Sequence, residues 1–199
     1  MVLDPTKLEI IHYPHPTLRY KSKPIARVDA NLREAIKAMF PLMYEARGIG
    51  LAANQVDLPL RVFVLNLEAK PDEGEELVFI NPTISKPKGT DEKEEGCLSM
   101  PGINGHVRRP ETIHVQAYDF NGNLFEADVS GLLARAIQHE TDHLDGVLFT
   151  DKLSETGKLE VRDELYEMEV AFESSRETGN IPGDAQITQR IQEIEKAYT

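Results

Sequence analysis

The run His139-Glu140-Thr141-Asp142-His143 constrains this chain more than any other feature. Two histidines four residues apart on a helix project from one face, one turn apart, and can chelate a single cation. The segment therefore has to be helical, and that face has to turn inward. Its flanks agree: Ser130 is a suitable N-cap, Leu132, Leu133, Ala136, Ile137 and Leu144 make a helical apolar stripe, and Gly146 offers a stop. Leu132, Ala136, His139 and His143 fall along one line of the helix, so both imidazoles are expected to face inward. Glu140, beside the first histidine, is placed to act as general base on a water held by the cation.

A catalytic metal keeps three protein ligands and an open position. The other histidines, His12, His15, His106 and His114, all lie upstream, and each alone reads as a surface or packing residue. Cys97, the only cysteine, lies in Glu95-Gly96-Cys97-Leu98-Ser99 and excludes an intramolecular disulfide. A thiolate is a strong ligand, and metal binding would deprotonate it outright. Beside the two histidines, Cys97 is the candidate third ligand. The competing reading is a zinc endopeptidase with a downstream glutamate ligand, Glu164 or Glu167, although these belong to a generally acidic stretch. A closed structural site in a binding module would need a fourth side chain and leaves Glu140 without a task.

At 199 residues the chain suits one domain with a substantial core, or one domain and an appendage. A net charge of −12 argues against broad, salt-driven binding to nucleic acid. No apolar run is long enough to cross a bilayer, and residues 1–7 lack a secretory apolar region. The expected location is a reducing cytoplasm, with an organelle not excluded.

Pro14, Pro16 and Pro24 punctuate an irregular opening anchored by Leu18, Tyr20 and Ile25. A helix capped by Asp29 or Asn31 follows, which Pro41 is expected to kink or split, and Gly48 and Gly50 open a tight turn. Residues 61–67, 77–80, 112–118 and 124–129 read as strands, with Asn81-Pro82 stopping the second and Asn121-Gly122 turning the last two into a hairpin. Residues 68–76 and 86–94 read as charged, exposed loops, and 147–149 as a short strand. From Thr156 the sequence is highly charged and helical, broken at 179–183, with an amphipathic helix over 187–198. The expected fold is α+β, with mostly antiparallel sheets around a central metal-binding helix and an additional C-terminal helix. Residues 1–153 are expected to form the catalytic domain, and 154–199 an acidic helical extension packed on it or on a partner.

Three segments stand in register with the motifs of one family. Gly48-Ile49-Gly50-Leu51-Ala52-Ala53-Asn54-Gln55, Glu95-Gly96-Cys97-Leu98-Ser99 and Gln138-His139-Glu140-Thr141-Asp142-His143 resemble, in order and spacing, those of peptide deformylase. The resemblance runs from about residue 8 to 153. It implies removal of the N-formyl group from formylmethionine on nascent chains, with formate released, and a ferrous ion held by Cys97, His139 and His143. The donor set would also suit zinc, nickel or cobalt. Implied partners are N-formylmethionyl peptides and nascent chains, with transient ribosome contact, and neither stable nucleic-acid binding nor a membrane. The resemblance gives Glu140 the general-base role and Gln55 and the Leu98 N–H the oxyanion. Gly50 is expected to let the backbone approach substrate, and Ile49, Leu132 and Ala136 to line the methionine slot. Glu95 is expected to pair with Arg109 and support the cysteine loop, with Gln138 as a further supporting group. Asn54 and Met100 depart from the family's usual residues, and residues 174–199 extend beyond its usual core. Nothing in the sequence points to a dedicated pocket for residues after the methionine.

Overall fold

The structure, a computed structural model, describes residues 3–199. Its helices are α1 (Ala30–Glu45), α2 (Gly131–Leu144), α3 (Glu155–Glu160), α4 (Arg162–Glu177) and α5 (Asp184–Tyr198). The strands are β1 (Gly50–Ala52), β2 (Val62–Leu65), β3 (Leu77–Lys88), β4 (Asp91–Cys97), β5 (Met100–Arg109), β6 (Thr112–Tyr118) and β7 (Leu124–Ser130). Five strands form one antiparallel sheet in the order β1-β2-β3-β6-β7, and β4 pairs with β5 in a separate hairpin. The α+β architecture is the one expected, with α2 packed on the larger sheet.

Alternation explains the best-formed strands. Ile113, Val115 and Ala117 of β6 are buried and face α2 residues Ala134, Ala136 and Ile137 in one apolar cluster. His114 points to the other face, where Nδ1 pairs with Asp128 at 2.8 Å. Between β6 and β7, Gly122 takes a positive φ of 85° in the Asn121-Gly122 turn.

Several boundaries differ from expectation. β3 does not stop at Asn81-Pro82, because the chain absorbs them as a bulge: the register with β6 shifts between Ile80 and Thr83. Asn81, at φ 53°, accepts from Ile25 N–H at 2.7 Å and donates to Ile25 O at 2.8 Å. Residues 86–94 are largely strand, since a two-stranded hairpin can expose Glu92, Lys93 and Glu94 while burying Glu95. Gly50, expected to open a tight turn with Gly48, instead begins β1, whose residues Gly50–Ala52 pair with β2 and are buried. Phe149–Lys152 is a 3-10 turn rather than a strand, because Asp151 accepts from Leu148 N–H at 2.8 Å. α1 runs unbroken through Pro41, which lies on its exposed face and gives up one hydrogen bond while six side chains bury the opposite face.

The C-terminal helices pack on the rest of the chain. Ile187, Ile191, Ile194 and Tyr198 are the buried apolar face of α5, and Ile194 and Tyr198 join the cluster that holds α1 and β2. Each such side chain contributes roughly 2 kcal/mol on burial. Val161, Leu165 and Met168 pack against the cluster of Leu18, Ile103 and Phe149.

Candidate metal centre

Two elements deliver the cluster. α2 carries His139 and His143 on its inward face, their rings 5.0 Å apart, and β4 ends at Cys97. One ligand atom from each of Cys97, His139 and His143 lies within 4.8 Å of the others, and Cys97 Sγ is 3.3 Å from His143 Nε2. α2 can end so close to the opening segment because Gly146, at φ 73°, follows it. A Cβ there would be strained and would strike the Arg19 backbone carbonyl group. Ser130 occupies the N-cap position but makes no side-chain cap bond.

Glu95 fixes the cluster from behind. Its Oε2 pairs with His139 Nδ1 at 3.0 Å, which leaves Nε2 as that ring's ligand atom. The carboxylate also accepts from Arg109 at 2.6 and 2.8 Å and from Arg135 at 2.5 Å. Arg109 reaches on to Asp142 at 2.6 Å. Burial works against the charge on Glu95, but the hydrogen bonds from Arg109 and His139 outweigh it and hold the carboxyl well below the usual range. The expected Glu95–Arg109 pair is therefore present and buried. Arg135 was not signalled in the sequence, because it lies outside the motifs, and the role of Asp142, although it stands within the third motif, was not signalled because its partner Arg109 is 33 positions away. Gln138 points elsewhere, donating to the carbonyls of Pro110 and Ala134.

The site suits a cation. Burial disfavours a charged His139, yet hydrogen bonds to Cys97 and Glu95 more than compensate and push it up to about 10, so the surroundings favour positive charge at this spot. Burial, together with the charges of His139 and Arg109, holds His143 well below its usual value. One thiol and two imidazoles form a borderline-soft set suited to a transition metal.

A cavity of about 640 Å³ opens onto the cluster. Ile49, Gly50, Gln55, Leu98, Leu132 and Ala136 all line it. Leu132 sits at its rim, 51% exposed, and is not the core residue that its place on the apolar line suggested. Glu140 is buried, with Oε2 lacking any hydrogen-bond partner among the described residues. Burial pushes its carboxyl up to about 7 against the pull of His139 and Arg109. Gly50 has a reason of its own, since a Cβ would meet the Glu140 carboxylate and lie 2.7 Å from Leu65. Gln55 is pinned by Ala52 N–H to its Oε1 at 2.8 Å, and its Nε2 lies 3.4 Å from Cys97 Sγ and 3.3 Å from Ser99 Oγ. Asn54 is fully buried and ties the opening segment down, bonding Ser22 and the carbonyls of Thr17 and Tyr20. Glu164 and Glu167 are exposed on α4 and take no part in the cluster.

An HExxH helix, a thiol on an adjoining strand and a buried glutamate facing an open cavity are the features of a metal-dependent hydrolase. The family model described as polypeptide deformylase matches residues 7–159. A peptide deformylase of Rhodopirellula baltica is 49% identical over 192 residues, spanning 96% of each chain. The chloroplastic peptide deformylase 1B of Solanum lycopersicum is 45% identical over 167 residues, 83% of this chain and 60% of that one. A plant peptide deformylase crystal structure superposes with a TM-score of 0.83 at 42% identity, covering 90% of this chain and 96% of that chain. The chain belongs to the polypeptide deformylase family.

Proposed function

We propose that Cys97, His139 and His143 hold one divalent cation and that Glu140 performs proton transfer beside it. The reaction is hydrolysis of the N-formyl amide at the start of formylmethionyl peptides, with release of formate. The observation that carries the assignment is the convergence of three ligand atoms within 4.8 Å on the cavity into which Glu140 faces. A cation bound there supplies Lewis acidity, acidifying water and polarising the formyl carbonyl. Glu140 takes the proton of the attacking water and returns it to the leaving nitrogen. Gln55 Nε2 and the Leu98 backbone N–H donate to the oxygen that gains charge as the formyl carbon becomes tetrahedral. Ile49, Leu132 and Ala136 give the methionine side chain an apolar wall, and Gly50 keeps the Glu140 carboxylate unobstructed.

Ferrous iron is the proposed metal, and zinc, nickel and cobalt fit the same donors. The substrate, a chain still being synthesised, brings transient contact with the ribosome. Among the described residues no helix is long and apolar enough to cross a membrane. Both bacterial and chloroplastic relatives exist, and the bacterial cytoplasm is the location proposed here. Residues 1–153 are read as the catalytic unit and 154–199 as its extension.

Anaerobic purification with elemental analysis, followed by a formyl-peptide assay, tests the reading. Formate release from formyl-Met peptides is expected. Internal peptide cleavage without formate would support the endopeptidase instead, a reading the placement of Glu164 and Glu167 does not favour.

A further inference from the structure

The C-terminal helices build a second cavity beside the active one. It measures about 680 Å³ and lies between residues 7–15 and the face made by α4, α5 and the loop joining them. Val56, Phe172 and Ile181 give it an apolar wall, and His15, Asn180 and Arg190 a wall rich in N–H donors. Ile10, His12 and Pro101 line both cavities, so the two adjoin.

The walls are held in place by contacts that cross the boundary at residue 153. Tyr13 donates to Glu169 of α4 at 2.6 Å. The buried His15 ring meets Phe172 edge-on at 6.1 Å, and its Nδ1 accepts from Thr17 N–H at 3.3 Å, which places the ring proton on Nε2. Asp57 accepts from Thr17 at 2.5 Å and pairs with Arg190 of α5 at 3.1 Å. The negative charge of Asp57 is thus engaged in positioning the wall.

A substrate whose formyl group sits at the metal cluster has to leave the active cavity with its remaining residues. An extended peptide leaving past Ile10, His12 and Pro101 enters the second cavity. There its backbone carbonyls meet donors, and alternate side chains meet the apolar wall. We infer that this cavity binds the formylated peptide beyond its second residue and prefers an apolar side chain there. The inference rests on the deformylase reading. It gives the extension a task, since Phe172, Ile181 and Arg190 all belong to it, and it replaces the expectation that residues after methionine meet no dedicated pocket.

The test uses the metal-loaded enzyme and formyl-Met-Ala-Ser-Ser-Ser-Ser, with four relatives carrying a single leucine at position three, four, five or six. One leucine position is expected to raise kcat/KM about tenfold over the all-serine peptide. The gain should lie in KM with kcat unchanged, because contacts far from the reacting atoms act equally on ground and transition states. Ala171→Trp, introduced from an exposed position of α4 that lines the cavity, fills it and should bring the leucine-to-serine ratio to about one. Ile181→Ser removes apolar wall from the connecting loop and should lower the same ratio, which keeps the test decisive if the tryptophan disturbs α4. The ratio is formed within each variant, so a change in overall activity does not enter it. Equal kcat/KM for all five peptides, or a leucine preference that survives both substitutions, overturns the inference. Absence of formate from every peptide overturns the deformylase reading itself.

Discussion

Glu95 and Glu140 are both buried carboxylates beside His139, and the protein treats them oppositely. Glu95 is surrounded by two guanidinium groups and an imidazole, and burial there is outweighed. Glu140 faces a cavity with one oxygen unpartnered, and burial there wins. Depth alone therefore does not set the ionisation of a carboxylate; the partners within hydrogen-bond reach do. The satisfied carboxylate holds the ligand helix against the hairpin. The unsatisfied one is left free toward the cavity, where it has the proton-transfer role proposed above, at a cost in stability.

The largest effect is expected where the two regions meet, at Cys97, which shares a strand with Glu95 and a cavity with Glu140. Cys97→Ala should lose its metal on dialysis against a chelator and lose its activity with it, whereas Glu164→Ala and Glu167→Ala keep both. Full metal content in Cys97→Ala would sink the ligand assignment. Glu140→Gln should keep the metal and lose turnover by on the order of a hundredfold to ten-thousandfold, since the amide cannot accept a proton. Near-normal turnover in a metal-replete sample would remove Glu140 from its role.

Stability should then separate the two carboxylates by sign. Glu95→Ala removes the carboxylate shared by the buried Arg109 and Arg135, leaving Arg135 only the longer pair with Asp91 at 3.8 Å, and should cost on the order of 3–5 kcal/mol. Glu140→Gln should be neutral or gain about 1 kcal/mol, because it removes a buried charge with an unpartnered oxygen. Urea unfolding after chelation of both proteins measures this, and equal losses would break the contrast.

The smallest effect belongs to a third carboxylate, Asp151, which is partly exposed. Burial raises its pKa, but Arg19 and the Leu148 N–H outweigh that and lower it below 3.8. A lowered folded pKa means that its stabilisation is present above about pH 4 and is lost as pH falls further. Asp151→Asn should lower Tm slightly at pH 7, with the difference from the parent shrinking toward pH 3. A difference independent of pH would assign the effect to the turn hydrogen bond instead of the charge.

Legibility followed the range of the interaction. The metal helix, the hairpin at Asn121-Gly122 and the amphipathic α5 could be read directly, because a period of 3.6 or 2 and a turn residue are written into adjacent positions. The strand nature of 86–94 was obscured because its residues are mostly charged or exposed and the first buried side chain of β4 is itself a charged one, Glu95. The stop expected at Asn81-Pro82 became a bulge because Asn81 found its partner in Ile25, 56 positions away.

By itself the sequence supplied the proposed chemistry: two histidines four apart on a helix, one cysteine in Glu95-Gly96-Cys97-Leu98-Ser99, and a glutamate beside the first histidine. Side-chain type and short spacing carry that information, since neighbours on one helix face meet in any fold that contains the helix. Tertiary structure alone decided which carboxylate was held and which was left free. The partners of Glu95 stand 14, 40 and 44 positions from it, and nothing local distinguishes Arg135 from other charged residues. It also decided that the C-terminal helices would close a cavity against residues 7–15, because a space between distant segments exists only once both are packed.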